Sequence, residues 1–334
     1  MDDRSAVSEE GMFEASVAPP GESADGSAAT VSADCAGVPI LEHSGLCAIL
    51  GRPNVGKSTL LNALLGEKVS IATRKPQTTR HRILGVLNST SSQSVFVDTP
   101  GLHQQASRAL NRQLNRAALG SLEDLDLAIF VTRGLDWKSE DESAWAAIEG
   151  VEAPVILAVN QVDRVKDKRQ LLPHLERLAK LHDFAAVVPV SATRGTNLEA
   201  LQHEVVSRLP RGPALFPADQ ITDRDVAFRL GELIREQLIV ALGDELPYST
   251  TVQMESLQFD QKLVRIGAVI WVERQAQKPI VIGERGKRLK KIGSLARQQI
   301  EDFLVQQAHL ELWVKVKEHW TDDRRALHEF GYTD

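Results

Sequence analysis

A phosphate-binding loop sequence lies between a short apolar run and a predicted helix. Residues 51–58 read G-R-P-N-V-G-K-S, which fits the pattern G-x-x-x-x-G-K-[ST]. The apolar residues 46–50 before it are typical of a central parallel strand, and residues 57–65 predict a helix. Backbone N–H groups of such a loop surround phosphates at the helix N-terminus. The chain is therefore predicted to fold around a bound nucleotide.

Alternating strand and helix patterns over residues 43–210 predict a doubly wound, mainly parallel α/β sheet. The predicted strands are residues 46–50, 82–88, 94–98, 126–132, 154–160 and 185–190, and the predicted helices are residues 57–65, 107–121, 139–149, 167–181 and 197–208. Turn and breaker residues follow, so we predict a linker at residues 211–222 and a second domain at residues 223–334.

Composition separates the first 42 residues from the rest. They contain nine acidic residues and one basic residue, and without them the chain has 38 basic and 36 acidic residues. Their low apolar content predicts a disordered acidic tail over residues 1–42. The hydrophobic fraction of 43% indicates a globular protein, and no apolar run is long enough to cross a membrane. With only Cys35 and Cys47, no disulfide framework is expected, which favours a reducing cytoplasm.

Three further short sequences follow predicted strands of the first domain. Residues 98–101 read D-T-P-G, which places a carboxylate near Mg²⁺ and a glycine N–H near a γ-phosphate. Residues 160–163 read N-Q-V-D, and the Asp163 carboxylate can accept two hydrogen bonds from guanine that adenine cannot supply. Residues 191–193 read S-A-T and can close over the base. The predicted nucleotide-binding residues are Gly51, Arg52, Pro53, Asn54, Val55, Gly56, Lys57, Ser58, Thr59, Asp98, Thr99, Pro100, Gly101, Leu102, Asn160, Gln161, Val162, Asp163, Ser191 and Ala192.

These motifs, in this order, resemble the five signature stretches of the translation-factor-related GTPases. The polar stretch 74–82, R-K-P-Q-T-T-R-H-R, resembles the first switch segment of the Era family, where a threonine hydroxyl completes the Mg²⁺ shell. The resemblance implies GTP and GDP as ligands, with Ser58, Thr79 and Asp98 as Mg²⁺ ligands and Thr78 as the alternative to Thr79. The predicted catalytic residues are Asn54, Lys57, Thr79, Asp98 and Gly101.

Two positions depart from the family pattern. Gln161 stands where the guanine motif usually has a lysine that packs along the base, so affinity for the nucleotide is expected to fall while Asp163 keeps the specificity. Leu102 stands where many GTPases have a glutamine that orients water, so intrinsic turnover is expected to be slow. Asn54 resembles the asparagine of potassium-activated GTPases, which makes K⁺ a candidate activator.

The second domain has the order helix, strand, strand, G-x-x-G loop, helix, strand, which resembles a type II KH domain, an α+β fold. The helices are predicted at residues 226–239 and from Ser294 to about Leu304, and the strands at residues 250–257, 263–272 and 310–317. Glycines let a nucleic-acid backbone approach, and basic residues contact its phosphates. The predicted RNA-binding residues are Ile282, Gly283, Glu284, Arg285, Gly286, Lys287, Arg288, Lys290 and Lys291. Ile280, Ile282, Leu289 and Ile292 line an apolar groove in one interpretation and belong to the core in the other.

A GTPase domain followed by such a domain is typical of the Era family, and the resemblance extends from about residue 45 to the end of the sequence. It implies a monomeric GTPase that binds the 3′ end of 16S ribosomal RNA and acts in maturation of that RNA and assembly of the 30S subunit. It also implies a cytoplasmic location with peripheral contact to the inner membrane surface. Two alternatives stay open: a regulatory GTPase whose second domain docks a protein or a membrane, and a nucleotide-dependent binding module without useful catalysis.

Overall fold

The computed structural model describes residues 38–73, 75, 78–100, 109–120, 124–243 and 246–332. Within these ranges the predicted two-part architecture is confirmed: a mainly parallel sheet is followed by a smaller three-stranded sheet. No helix in the described ranges is both long enough and apolar enough to cross a membrane.

The first sheet has six strands. In chain order, the strands of this region are β1 (Ile40–Leu41), β2 (His43–Leu50), β3 (Ile83–Asn88), β4 (Ser92–Asp98), β5 (Leu127–Arg133), β6 (Val155–Asn160), β7 (Ala186–Pro189) and β8 (Gly212–Pro213). The sheet order is β3-β4-β2-β5-β6-β7, with only the β3–β4 pairing antiparallel. The central strands are apolar along their whole length because helices cover both faces, so both sets of side chains are buried.

Helices cover this sheet on both sides. The helices of the first domain are α1 (Lys57–Leu65), α2 (Ala109–Gly120), α3 (Ser139–Ala146), α4 (Leu171–Ala179) and α5 (Leu198–Val206). One apolar cluster joins α1 and α5 to one face of the sheet, and a second joins α3 and α4 to the other face. All five helices were predicted, although α3, α4 and α5 are shorter than the sequence patterns indicated, and a 3₁₀ turn at Lys168–Gln170 precedes α4.

The end of the predicted tail pairs with the start of the predicted linker in a small two-stranded sheet. Strand β1 pairs antiparallel with β8, so Ile40 lies opposite Pro213 and Leu41 opposite Gly212. Residues 38–42 are therefore part of the folded structure, which corrects the tail boundary at residue 42, while residues 1–37 lie outside the described ranges. Past β8, the Gln93 side chain accepts hydrogen bonds from the Leu215 and Phe216 N–H groups at 2.6 and 2.9 Å.

The second domain packs two helices against one face of its sheet. Its elements are α6 (Val226–Ala241), β9 (Thr250–Phe259), β10 (Val264–Val272), α7 (Gln277–Ile282), α8 (Lys287–Leu304), β11 (Ala308–Val316) and α9 (Arg324–Glu329). Strand β10 lies between β9, its antiparallel neighbour, and β11, its parallel neighbour. Apolar residues of α6 and α8 form the core with β10. The order of elements matches the prediction, except that α7 and α9 were not predicted.

The segment between α1 and β3 (the α1–β3 segment), described at residues 66–73, 75 and 78–82, lies against the second domain. The Arg80 guanidinium donates through Nη1 to the Thr250 carbonyl at 2.8 Å and is only 2% exposed. His81 stacks on Tyr332 with ring centroids 4.7 Å apart. Charged side chains of α6 also reach this segment, so it is bound to the second domain at several points.

The C-terminal residues contact α2. Leu110 and Leu114 of α2 share a buried apolar cluster with Trp320, Leu327 and Tyr332. At the start of α2, the Leu110 N–H donates to the Thr321 carbonyl at 3.0 Å, and the Ala109 N–H donates to Oδ1 of Asp322 at 2.8 Å. Thr321 and Asp322 thus accept hydrogen bonds from backbone N–H groups in the first turn of α2, which have no partner within the helix.

Candidate nucleotide site and candidate RNA-binding loop

The phosphate-binding loop has three residues with positive φ. They are Gly51, Asn54 and Gly56, with φ of 133°, 64° and 97°. A Cβ at Gly51 would lie 2.4 Å from the Val131 carbonyl oxygen, so no other residue fits there without displacing β5. Gly56 directly precedes α1, and the loop therefore presents its backbone N–H groups at a helix N-terminus.

Lys57 lies inside this loop. Its ammonium group donates to the carbonyl oxygens of Gly51 at 3.0 Å and Arg52 at 3.2 Å, and the side chain is 7% exposed. Burial lowers the pKa of Lys57 to about 8, against the attraction of the Asp98 carboxylate. The Lys57 amine stays mostly protonated at neutral pH, and a bound triphosphate would favour the charged form further, which is the form that neutralises phosphate charge.

Three oxygen-bearing side chains of the predicted metal site lie together. The Ser58 and Thr79 hydroxyl oxygens are 2.7 Å apart, and the Thr79 hydroxyl is 3.4 Å from Oδ2 of Asp98. Asp98 is fully buried, and its Oδ1 makes no hydrogen bond within the described part of the chain. A buried carboxylate oxygen without a partner, beside two hydroxyls, fits a small hard cation such as Mg²⁺.

The two threonines that the sequence left as alternatives differ in position. The Thr78 hydroxyl donates to the Lys75 carbonyl at 2.7 Å and lies 2.6 Å from the Thr73 hydroxyl. Only the Thr79 hydroxyl faces Ser58 and Asp98. The geometry therefore favours Thr79 as the metal ligand.

The loops after β6 and β7 form the candidate base site. Asn160 is 1% exposed, and its Nδ2 donates to the Val55 carbonyl at 3.0 Å while its Oδ1 accepts from the Ala192 N–H at 3.1 Å. Asn160 thus links the phosphate loop to both base loops. Asp163 is exposed, and its Oδ1 accepts a 2.6 Å hydrogen bond from the Ser191 hydroxyl. The hydrogen bond from Ser191 therefore fixes the orientation of the Asp163 carboxylate, which stays exposed to an approaching base.

Gln161 has a left-handed backbone conformation, with φ of 62°. Its Nε2 donates to the Val55 carbonyl at 3.4 Å, while its Oε1 is buried and makes no hydrogen bond among the described residues. The side chain lies over the phosphate loop, where the expected lysine would pack along the base.

Some predicted residues contribute through the backbone or lie outside the described ranges. Val55 and Val162 are core residues, so only their backbone groups are available to a nucleotide. Thr99 is buried, and its hydroxyl donates to the Ile49 carbonyl at 3.1 Å. Gly101 and Leu102 lie outside the described residues, as do positions 74, 76 and 77 of the predicted switch stretch.

Sequence reasoning missed two residues that support the site. The Ser70 hydroxyl donates to Oδ2 of Asp98 at 2.9 Å, and Asp141 of α3 accepts from Nε of Arg52 at 2.9 Å with both carboxylate oxygens. Neither belongs to a motif. Asp141 lies in the first turn of a predicted helix. Acidic residues are common there because they stabilise the helix, so its position gave only weak evidence of a role in the site.

The G-x-x-G loop of the second domain is strained and exposed. Gly283, Arg285 and Gly286 have φ of 74°, 49° and 78°, and a Cβ at Gly283 would lie 2.6 Å from Cβ of Arg288. Helix α8 starts at Lys287, so the prediction that this helix begins at Ser294 is wrong. The basic side chains at the start of α8 are exposed, namely Lys287, Arg288, Lys290 and Lys291, and they flank the exposed Glu284 and Arg285.

The two interpretations of the apolar residues each hold in part. Ile292 is fully buried in the core of the second domain, and Ile282 and Leu289 are partly buried against that core. Ile280 is 43% exposed beside the loop, and its carbonyl accepts a hydrogen bond from Arg288. Only Ile280 therefore presents a large apolar surface next to the basic residues.

Comparison with known proteins gives one consistent result. A family model described as 50S ribosome-binding GTPase matches residues 46–161, and a KH domain model matches residues 245–321. GTPase Era of Xanthomonas oryzae is 53% identical over 290 residues, covering 87% of this chain and 97% of the relative.

Two solved structures are also similar to this chain. One is a variant of Aquifex aeolicus Era bound to GDP·AlF4⁻, with TM-score 0.84, 38% identity and coverage of 87% of this chain and 100% of that one. The other is Era in complex with MgGDPNP and nucleotides 1506–1542 of 16S ribosomal RNA, with TM-score 0.83, 38% identity and coverage of 87% and 99%.

Proposed function

The chain belongs to the Era family of GTPases, and on that premise we propose that it binds the 3′ end of 16S ribosomal RNA through its second domain and acts in maturation of that RNA and assembly of the 30S subunit. Its enzymatic activity is hydrolysis of GTP to GDP and phosphate. The observation that supports RNA as the partner is the exposed G-x-x-G loop with its basic residues, together with the similarity to an Era–RNA complex.

The G-x-x-G loop suits a nucleic-acid backbone for two physical reasons. Gly283 and Gly286 have no side chain, so a phosphate can approach the backbone N–H groups at the start of α8. Lys287, Lys290 and Lys291 supply exposed positive charge on the same turns. Charge of this kind gives an affinity that falls steeply with salt.

The nucleotide role proposed for the first domain uses the side chains already described. Lys57 lies where it can contact the outer phosphates, and Asp163 can accept hydrogen bonds from guanine in both GTP and GDP. Ser58, Thr79 and Asp98 would hold Mg²⁺. The metal neutralises charge on the transferred phosphoryl group when it is bound. The Thr79 hydroxyl then links the α1–β3 segment to the nucleotide state.

Several expectations stay predictions because no observation bears on them. They are slow intrinsic turnover, activation by K⁺ through Asn54, a monomeric state, and a cytoplasmic location with peripheral membrane contact. The alternative partner for the second domain is a protein or a membrane surface.

The deciding experiment measures anisotropy of a labelled single strand matching the 3′ end of 16S ribosomal RNA, over a salt series, with GTP-loaded and GDP-loaded protein. The test variant carries Gly286→Asp and Lys287→Glu. Lys262→Glu makes the same charge reversal at an exposed position in the turn between β9 and β10 and serves as the control. We expect the test variant to lose most of its binding and the control to keep it. In the test variant, the slope of log affinity against log salt concentration should be reduced by about one for each phosphate contact removed. Equal, weak binding by all proteins would favour the protein or membrane alternative.

A further inference from the structure

Helix α6 buries three charged residues against the α1–β3 segment. Glu232, Arg235 and Glu236 are 7%, 2% and 6% exposed. Glu236 accepts from the Ala72 N–H at 3.2 Å and pairs with the Lys68 ammonium at 2.5 Å. Buried charges are retained only where they are paired and hydrogen-bonded, so this contact depends on close docking of the two domains.

Arg235 is held in one orientation by Glu232. Its Nε and Nη2 donate to the two oxygens of the Glu232 carboxylate at 2.6 and 2.7 Å. Burial alone would raise the pKa of Glu232, but the Arg235 guanidinium outweighs burial and holds that pKa below its ordinary value. The pair is therefore ionic, and its two-point geometry fixes the guanidinium plane.

The fixed guanidinium reaches the backbone beside the metal site. Nη2 of Arg235 also donates to the Thr78 carbonyl at 2.5 Å. This carbonyl belongs to the peptide that joins Thr78 to Thr79, and the Thr79 hydroxyl lies 2.7 Å from that of Ser58. On the other side of Thr79, Arg80 donates to the Thr250 carbonyl. The second domain thus contacts the backbone of Thr78 before Thr79 and the side chain of Arg80 after it.

We propose that Arg235 is a positioning residue for GTP hydrolysis: paired with Glu232, it holds the Thr78–Thr79 peptide so that the Thr79 hydroxyl faces the metal site. The inference rests on the proposed role of Thr79 as a Mg²⁺ ligand. It makes the catalytic arrangement of the first domain depend on a side chain of the second. Arg235 acts through Thr79, at a distance from the nucleotide itself.

The first test is Arg235→Gln in the full chain. We expect kcat to fall between about tenfold and 100-fold, since a displacement of about 1 Å at a catalytic group has effects of that size. The Mg²⁺ concentration for half-maximal turnover should rise, while GDP affinity stays within about twofold, because the predicted GDP contacts lie in other loops.

Arg235→Lys should restore part of the rate, since it keeps one charged donor group. Arg265→Gln removes an exposed arginine from the same domain and should match the parent protein. Unchanged kcat and Mg²⁺ dependence in Arg235→Gln would overturn the proposal.

A double-substitution comparison separates positioning from general destabilisation. If Arg235 acts through Thr79, adding Arg235→Gln to Thr79→Ala should lower kcat no further, whereas independent effects would multiply and overturn the proposal. If Arg235→Gln leaves Glu232 unpaired and the protein folds poorly, the combined variant Glu232→Gln, Arg235→Met removes both charges and should show the same loss of kcat. A full rate in the folded combined variant would overturn the proposal. If Thr79→Ala itself keeps the full rate, the proposed metal role of Thr79 fails, and the inference fails with it.

Discussion

The Ser191 hydroxyl donates a 2.6 Å hydrogen bond to Oδ1 of Asp163. The bond joins the loop after β6 to the loop after β7 and orients an exposed carboxylate. An oriented carboxylate can accept from N1–H and from the exocyclic amine of guanine at once. The selectivity for the base therefore depends on both loops.

Asp163→Asn is expected to lower affinity for GDP by about 10⁴-fold, because a site built to bond particular groups rejects partners that do not match them. The amide supplies one donor and one acceptor, which complements xanthine, so XDP should bind better than GDP. Binding of fluorescent GDP and XDP measures both. Asp167→Asn, which alters a nearby carboxylate bonded to Arg169, is the control. Equal GDP binding by the two variants would contradict the assignment of Asp163.

Alanine at the two glycines of the G-x-x-G loop should have unequal effects. Both have positive φ, but a Cβ at Gly283 would meet Arg288 at 2.6 Å, whereas a Cβ at Gly286 has no atom within 4 Å. Gly286→Ala should therefore cost about 1–2 kcal/mol from backbone strain alone. Gly283→Ala should cost more and should displace the start of α8. Urea unfolding of both variants checks the order of the two costs, and the reverse order would contradict the loop geometry.

The stability of the protein should depend on the protonation of His81. The ring stacks on Tyr332 at 4.7 Å and meets Phe228 edge-on at 5.0 Å. Burial is the main cause that lowers the pKa of His81 from 6.5 to about 4. The negative charge of Glu232 opposes this shift, and the positive charges of Arg235, Arg224 and Arg80 add to it. Between these pH values the unfolded chain binds a proton that the folded protein excludes. The free energy of unfolding is therefore unaffected by protonation of His81 above about pH 6.5 and decreases as the pH falls to about 4, by about 3 kcal/mol in total.

His81→Phe should keep the ring contacts and remove this pH dependence. The free energy of unfolding should fall by about 2 kcal/mol less between pH 7 and pH 5 in the variant than in the parent protein. Urea unfolding at the two pH values gives the difference. His203→Phe changes an exposed histidine of α5 and should behave like the parent. The same pH dependence in all three proteins would contradict the burial of a neutral His81.

Asp322→Ala should destabilise the protein by about 1 kcal/mol, because its carboxylate accepts from the Ala109 N–H at the start of α2. Asp322→Asn keeps an acceptor and should lose less. Thermal unfolding ranks the variants. Identical melting temperatures for the alanine variant and the parent protein would show that the contact contributes nothing to stability.

The nucleotide site could be predicted because its residues follow strands at fixed positions along the chain. Asp98 ends β4, Asp163 lies shortly after β6, and Ser58 ends the phosphate-binding loop sequence, so each belongs to a recognisable pattern. The carboxyl ends of parallel strands share one edge of a sheet. Ser70 could not be predicted, because its bond to Asp98 results from packing of a loop that has no motif.

The start of α8 was mispredicted for a similar physical reason. The sequence pattern predicts that this helix begins after Gly293, whereas it begins after Gly286, and of these two glycines only Gly286 has positive φ. Gly293 lies within the helix, where a Cβ would be 3.4 Å from Leu312 of β11. A glycine inside a helix thus looks the same in the sequence as one that ends a helix.

Contacts with the first domain also hold the chain that connects the two domains. Strand β1 holds residues 212–213, Gln93 holds Leu215 and Phe216, and the Val86 N–H donates to the Ile221 carbonyl at 2.8 Å. The residues predicted as a linker are thus bound at several points to the domain they leave. The contacts continue past Ile221, because Thr222 bridges Gly85 and the Leu84 N–H donates to Oδ1 of Asp223 at 3.0 Å. The chain between the domains is therefore anchored almost up to α6, so inserting residues before Ile221 would leave the anchors next to α6 in place.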